Sequence, residues 1–204
     1  MMITLHGIPR SRSLRVSWTL EELRLDWQYH KVDFASGEHR SAEYLALNPC
    51  GKIPTLLDDD LVMTESAAIC LYLAERYGPT QLLPQSIEDK AQHHRWVQLV
   101  TSELEQPLWT MGKHRFALPE PQRVPQMLET AAWEFDKICN ELECLLPDTD
   151  TLFDNFTVAD ILLTHTLNWA VKFEQQLPAK LAAYRKRNSR RPALAAALEK
   201  EMAS

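Results

Sequence analysis

The fold is decided by N-P-C-G-K-I-P-T-L, from Asn48 to Leu56, and by T-E-S-A-A-I, from Thr64 to Ile69. The first stretch opens on an Asn-Pro pair, which marks a turn, and continues into a short apolar run that is typical of a strand. The second stretch opens a helix that is predicted to run from Ser66 to Tyr77, because Gly78-Pro79 is a normal helix stop. Together they predict a strand and a helix separated by a short connection.

Strand and helix signals alternate around these two stretches in the first 78 residues. An amphipathic helix is predicted for residues 14–25, with Arg15 on the face that meets water. Strands are predicted for 3–6, 30–34, 55–57 and 61–63. The order strand-helix-strand, then strand-strand-helix, is the thioredoxin-like order, a mixed sheet with helices on both faces.

The rest of the chain has no convincing strand pattern. The sequence predicts a domain at 1–78, a linker at 79–88 and an all-helical domain at 89–204. Long helical patterns are predicted at 90–111, with an interruption near Pro107, and at 126–146, 157–173, 181–187 and 192–202.

Composition and charge exclude several function classes. The chain of 204 residues has 28 acidic and 22 basic side chains and a net charge of -6, which disfavours a nucleic-acid partner. Neither a membrane-length apolar run nor a secretory leader is present, so we expect no membrane association and a cytoplasmic location. The four cysteines form no C-x-x-C pair, and we expect no metal site.

Four motifs give the chain a family resemblance. The two deciding stretches, I-T-L-H-G-I-P-R-S-R-S-L-R-V from Ile3 to Val16, and F-T-V-A-D-I from Phe156 to Ile161 resemble in order and spacing the cytosolic glutathione S-transferases. The loop serines are similar to those of bacterial-type, theta-like and phi-like enzymes. The resemblance implies an α/β thioredoxin-like domain that binds glutathione as co-substrate. It also implies an all-α C-terminal domain that holds a small hydrophobic electrophile, and a homodimer.

The resemblance implies that five residues bind glutathione. The Ile53-Pro54 bond is expected to be cis, so that the backbone N–H and C=O of the strand face the tripeptide. Glu65 would pair with the ammonium group, while Ser66 would cap the helix and bind the γ-glutamyl carboxylate. Lys52 and His39 are candidates for the glycyl carboxylate, although His39 reads equally well as a surface histidine.

The catalyst is predicted in the first strand-to-helix loop. A free thiol has a pKa of about 8.5, so a thiolate at neutral pH needs a hydrogen bond and positive potential. The loop contains neither tyrosine nor cysteine, and the resemblance assigns the catalytic role to Ser11. Ser13 is predicted to be the helix N-cap. Arg10 and Arg12 would add positive potential or lie in solvent, and His6 is predicted to be a packing residue.

The second half contributes a predicted substrate pocket and a predicted folding element. Trp109, Met111, His114 and Phe116 would line the pocket for the electrophile, or would equally form domain core. Thr157–Asp160 is predicted to be a capping box at the start of a buried helix, with no ligand role.

Two other functions remain open from the sequence. Glutathione-dependent peroxide reduction would use the same activated sulfur. A non-catalytic interaction module would keep the fold without the chemistry, although the intact Glu65-Ser66 and Ile53-Pro54 elements count against it.

Overall fold

A computed structural model describes residues 2–203, and this range contains four strands and nine α-helices. The strands are β1 (Ile3–Gly7), β2 (Trp27–Lys31), β3 (Thr55–Asp58) and β4 (Leu61–Thr64). The helices are α1 (Ser13–Glu22), α2 (Ala42–Leu47), α3 (Ser66–Tyr77), α4 (Ile87–Gln98), α5 (Glu105–Gly112), α6 (Gln126–Leu145), α7 (Val158–Lys172), α8 (Ala179–Asn188) and α9 (Pro192–Ala203).

The strands form one mixed sheet in the order β2-β1-β3-β4. β1 pairs in parallel with β2 and antiparallel with β3, which in turn pairs antiparallel with β4. Leu5 and Leu56 lie opposite each other in this ladder and are fully buried, as is Ile69 of α3. The predicted thioredoxin-like α/β domain and the predicted helical second half are both confirmed.

One strand and one helix differ from the sequence prediction. β2 occupies Trp27–Lys31 rather than 30–34, because the Asp33 carboxylate accepts the backbone N–H groups of Ala35 and Ser36 and turns the chain. α1 ends at Glu22 rather than residue 25, since Arg24 has a left-handed φ of 53°.

The chain divides into two compact units, one formed by residues up to Leu83 and from Arg190 onward, the other by Pro84–Ser189. The sequence placed the last helix in the helical domain, whereas the structure packs α9 on α1 in the first unit. The Arg191 guanidinium donates to both carboxylate oxygens of Glu22 at 2.6 and 2.8 Å, and Leu194 and Ala197 are buried. The domain limits 1–78, 79–88 and 89–204 stay a prediction.

The second unit is helical, and its first long helix is interrupted earlier than predicted. The backbone widens to a π-helix at Leu99–Leu104, while Pro107 lies buried inside α5. The hydroxyl of Thr101 donates to the Val97 carbonyl at 2.8 Å and that of Ser102 to the Gln98 carbonyl at 2.7 Å, which loosens the helical ladder here. Within residues 2–203, none of the helices has both the length and the apolar character needed to cross a membrane.

The predicted capping box at the start of α7 is confirmed. Asp160 is fully buried, and one carboxylate oxygen accepts the backbone N–H and the hydroxyl of Thr157, each at 2.7 Å. Its other oxygen accepts the Leu152 N–H at 2.8 Å and the Tyr184 hydroxyl. The carboxylate therefore joins the start of α7 to the preceding loop and to α8.

We expect Asp160→Ala to lower the free energy of unfolding by at least about 2 kcal/mol, because it leaves several buried donors without an acceptor. Asp148→Ala is the matched control, since this side chain is 93% exposed and pairs only at the surface with Lys180. Its loss should cost less than about 1 kcal/mol in urea unfolding. Equal stability losses for the two variants would contradict the role of Asp160.

Candidate active site

Several segments of the first unit meet at one edge of the sheet. In the register, His6 at the end of β1 lies opposite Thr55 at the start of β3, and Thr55 lies opposite Thr64 at the end of β4. The loop after β1, the residues before β3 and the start of α3 therefore adjoin one another. The register alone brings the predicted catalytic loop next to Ile53-Pro54 and Glu65.

The first loop exposes Ser11 and buries Ser13. The Ser11 hydroxyl donates to the Ile8 carbonyl at 2.7 Å, and its oxygen accepts the Ser13 N–H at 3.1 Å. The two serine hydroxyl oxygens are 3.0 Å apart, and the Ser13 oxygen also accepts the Ile8 N–H at 3.3 Å. Ser11 is half-buried, whereas Ser13 has no exposed surface.

The prediction that Ser13 is the N-cap is wrong. The helix begins at Ser13 itself, the preceding Arg12 is the N-cap residue, and its side chain makes no capping hydrogen bond. The Ser13 side chain turns inward and supports the loop instead, because Gly7 leaves room for it. A Cβ atom on Gly7 would lie 2.3 Å from the Ser13 hydroxyl oxygen.

Two side chains fix the backbone of the segment before β3, and the sequence analysis gave neither of them this role. The Ile53-Pro54 bond is cis, as predicted. The carbonyl of Lys52 accepts the Tyr44 hydroxyl at 2.7 Å and the Asn48 side-chain amide at 2.8 Å. These bonds fix the backbone next to Ile53, while the Lys52 side chain is exposed.

His39 lies close to this segment through a tight backbone contact. Gly51 has a left-handed φ of 59°, and a Cβ atom there would lie 2.7 Å from the His39 carbonyl oxygen. The His39 ring stacks on Phe34 with centroids 3.9 Å apart. Its Nδ1 atom is buried and has no hydrogen-bond partner among the described residues.

The start of α3 combines backbone strain with a buried positive charge. Glu65 is exposed, has a left-handed φ of 67° and occupies the N-cap position that was predicted for Ser66. Ser66 is the first helical residue, and its hydroxyl oxygen accepts a hydrogen bond of 3.3 Å from the Arg15 guanidinium. Arg15 is only 1% exposed, so the prediction that it faces water is wrong. Its charge and the helix N-terminus both favour an anion here.

His6 belongs to a histidine pair on the face of β1 that is opposite to the face of Gly7. Its ring centroid is 4.6 Å from that of His30, whose Nε2 is 2.6 Å from a carboxylate oxygen of Glu38. Burial, and then the neighbouring His30, lower the pKa of His6. The side chain therefore favours the neutral form, which suits the packing role predicted for it.

In the second unit, the four predicted pocket residues have different environments. Met111 is 1% exposed and lies in the core, whereas Phe116 is 61% exposed. His114 accepts the Val124 N–H on its Nδ1 atom at 3.1 Å and fixes the following loop. A Cβ atom on Gly112 would meet Phe116, Trp109 and Phe173 at 3.5–3.7 Å.

We call Trp109, Phe116, Trp169 and Phe173 the aromatic cluster of the second unit. Phe173 meets Trp169 and Phe116 edge-on, with centroids 5.6 and 6.3 Å away. The sequence analysis missed Trp169 and Phe173, although both fall on the predicted helix at 157–173. Among the described residues, no group of three or more His, Cys, Asp or Glu side chains has an arrangement that could hold a metal ion.

This chain is similar in sequence to known proteins. A family model for the glutathione S-transferase N-terminal domain matches residues 1–75. Glutathione S-transferase 1 of Dianthus caryophyllus is 40% identical over 98 residues, 48% of this chain and 44% of that protein. Glutathione S-transferase hmp2 of Hypomyces subiculosus is 32% identical over 189 residues, 86% of this chain and 88% of that protein. The chain spans about half the length of the plant relatives it matches.

Solved structures share the fold over nearly the whole chain. The glutathione transferase URE2P6 of Phanerochaete chrysosporium, solved with oxidized glutathione, is 29% identical with a TM-score of 0.83, covering 98% of this chain and 96% of that chain. The nitrogen regulation fragment of the yeast prion protein Ure2p has a TM-score of 0.86 at 24% identity, covering 97% and 96%. The second likeness concerns the fold alone.

We expect Gly7→Ala to lower the free energy of unfolding by roughly 1–3 kcal/mol, because the new methyl group overlaps Ser13. Gly112→Ala is the matched control: it is helical, and its Cβ atom would meet its neighbours at ordinary distances. That substitution should be neutral or stabilising by up to about 1 kcal/mol. Thermal and urea unfolding measure both, and a Gly7→Ala protein of full stability would contradict the described loop.

Proposed function

Because this chain belongs to the glutathione S-transferase family, we propose that it is an enzyme that binds glutathione in its first unit and transfers the thiolate to a small hydrophobic electrophile. The observation that carries the proposal is the sheet edge where Ser11, Ile53-Pro54 and the start of α3 adjoin. In this proposal the edge would offer one ligand a hydroxyl from Ser11, the backbone N–H and C=O of Ile53, and an anion site at the start of α3. Relatives and solved neighbours with the same fold are named glutathione transferases.

In the proposed binding mode, glutathione lies extended along the residues before β3. The backbone of Ile53 pairs with the peptide, and the bonds from Tyr44 and Asn48 to the Lys52 carbonyl keep that backbone in place. The γ-glutamyl carboxylate meets the N-terminus of α3 at Ser66, above the buried Arg15 charge, and the ammonium meets Glu65. Lys52 and His39 are proposed for the glycyl carboxylate at the opposite end.

Ser11 is the proposed catalytic residue because it is the loop hydroxyl with exposed surface. Its proton, which the unliganded loop gives to the Ile8 carbonyl, would turn to the sulfur. The Ser13 N–H would meanwhile hold the Ser11 oxygen in place. The hydrogen bond and the N-terminus of α1 favour the thiolate, and the thiol proton leaves to solvent. The sulfur electron pair then forms a bond to the electrophilic carbon as the bond to the leaving group breaks.

The aromatic cluster of the second unit is the proposed binding surface for the electrophile. Phe116 supplies exposed apolar area, and Trp109 and His114 precede it in the sequence. Met111 would support the cluster from the core rather than contact the ligand. Such a surface suits an apolar compound and identifies none in particular.

Two alternatives to conjugation are compatible with the same fold. A neighbour solved with oxidized glutathione favours peroxide reduction, in which two glutathione molecules become a disulfide while the peroxide becomes an alcohol and water. A non-catalytic module is the other alternative, because the fold by itself does not require the chemistry. Assays with a chloro-nitrobenzene and with an organic hydroperoxide separate the three functions, because the module would be inactive in both.

A homodimer and a cytoplasmic location are also part of the proposal. β4 is an outermost strand of the sheet, and its Leu61 and Val62 side chains are 40% and 41% exposed. An exposed apolar outermost strand favours pairing with a second protein chain.

We expect Glu65→Ala to raise the Kd for glutathione roughly 10- to 100-fold, or about 1.4–2.8 kcal/mol, because a charge-assisted contact with the ammonium is lost. Glu75→Ala, an exposed acidic residue farther along α3, should bind like the original protein. Calorimetry measures both affinities. An unchanged glutathione affinity of a folded Glu65→Ala protein would contradict the proposed role of Glu65 in the site.

We expect Ser11→Ala to raise the pKa of the bound thiol by about one unit or more, where each unit corresponds to about 1.4 kcal/mol of preference for the thiolate. Turnover at neutral pH should fall accordingly, while the glutathione Kd changes little. The ultraviolet absorbance of the thiolate reports the titration. The control is Ser13→Ala, which should lower stability; a shift confined to Ser13→Ala would move the catalytic role to that residue.

A further inference from the structure

A fully buried glutamate of α9 reaches the proposed catalytic loop. One carboxylate oxygen of Glu201 accepts the backbone N–H of Arg10 at 2.9 Å, and the other accepts the Ser17 hydroxyl at 2.6 Å. Glu201 has no exposed surface, and Arg10 lies 191 positions earlier in the chain. The contact thus joins α9 to the residue directly before Ser11.

The loop has an unusual conformation at the point of this contact. Arg10 has a left-handed φ of 62°, which costs free energy for any residue with a Cβ atom and persists only where surrounding contacts impose it. The side chain of Arg10 is exposed, so its packing does not impose the conformation. The Ser11 N–H closes a turn on the Ile8 carbonyl at 3.2 Å, which puts Arg10 at a turn position that takes positive φ. The hydrogen bond from the Arg10 N–H to Glu201 is a second contact that holds this conformation.

The chemistry of Glu201 fits this task better than a structural role within α9. A buried carboxylate is costly unless donors satisfy both oxygens. Ser17 already has a second acceptor in the Ser13 carbonyl at 3.2 Å, so α1 does not depend on the carboxylate for this hydroxyl. The Arg10 N–H therefore depends more on an acceptor at position 201 than the Ser17 hydroxyl does.

We infer that Glu201 is a positioning residue for the thiol chemistry: it holds Arg10 in its left-handed conformation and so aims the Ser11 hydroxyl at the glutathione sulfur. The inference rests on the proposed function of Ser11. It assigns to α9 a part in catalysis that requires no contact between this helix and the substrate.

The test compares Glu201→Leu, which removes the acceptor at similar volume, with Glu201→Gln, whose single carbonyl oxygen still accepts the Arg10 N–H. Glu201→Leu should raise the pKa of bound glutathione by about one unit, a tenfold loss of thiolate at neutral pH, and lower kcat in parallel. The glutathione Kd should change less than about twofold. In Glu201→Gln the thiol pKa of bound glutathione should lie close to its value in the original protein.

Leu194→Ala is the matched control for damage to α9, because Leu194 is 5% exposed in the same helix and has no hydrogen bond to the loop. It should lower stability and leave the thiol pKa unchanged. A second comparison places Glu201→Leu in an Arg10→Gly background. Glycine takes left-handed angles at no steric cost, so the added shift from Glu201→Leu should be smaller there.

The outcomes separate this inference from the proposed function. If Ser11→Ala raises the thiol pKa and Glu201→Leu leaves it unchanged, the positioning role is overturned while the catalyst stands. If Leu194→Ala shifts it as much as Glu201→Leu, or Arg10→Gly does not reduce the shift, the positioning role is also overturned. If Ser11→Ala has no effect, the catalyst assignment fails and the inference fails with it.

Discussion

The antiparallel pairing of β1 with β3 is the constraint on which the rest of this protein depends. Because His6 lies opposite Thr55, the loop that follows β1 meets the segment that precedes β3. Pairing of β3 with β4 adds the start of α3 to the same edge. A shift of either register by one residue would exchange the buried and exposed faces of the strands. It would also change which part of the loop after β1 adjoins the segment before β3, and no side-chain substitution could restore that alignment.

Around this edge, buried polar side chains hold the groups that are proposed to meet the ligand. Tyr44 fixes the Lys52 carbonyl, Arg15 lies behind Ser66, and Glu201 holds the turn before Ser11. Each buried partner comes from an element other than the one that it supports. A ligand would therefore meet preformed backbone positions, which is the general condition for tight binding and for catalysis by hydrogen bonds that need little rearrangement.

The parts of the structure that were predictable from the sequence are those with local causes. The Thr157–Asp160 capping box, the strands predicted at 55–57 and 61–63 and the extent of α3 depend on residues within a few positions of one another, and the structure confirms them. Arg15 reads as a solvent residue because its partner on α3 is 51 positions away. No local sequence pattern predicts the role of Glu201, since its carboxylate reaches Arg10 and Ser17 only when α9 packs on α1. The inward turn of Ser13 was equally hidden, because it depends on the missing side chain of Gly7.

The central claim is that this sheet edge binds glutathione with its sulfur at Ser11. A crystal structure of the protein with an S-alkyl glutathione tests it most directly. We expect the peptide to pair with the backbone of Ile53, its γ-glutamyl carboxylate to lie at the N-terminus of α3, and its sulfur to lie within hydrogen-bond reach of the Ser11 hydroxyl. A ligand bound elsewhere, or bound at this edge with its sulfur turned away from the first loop, would contradict it.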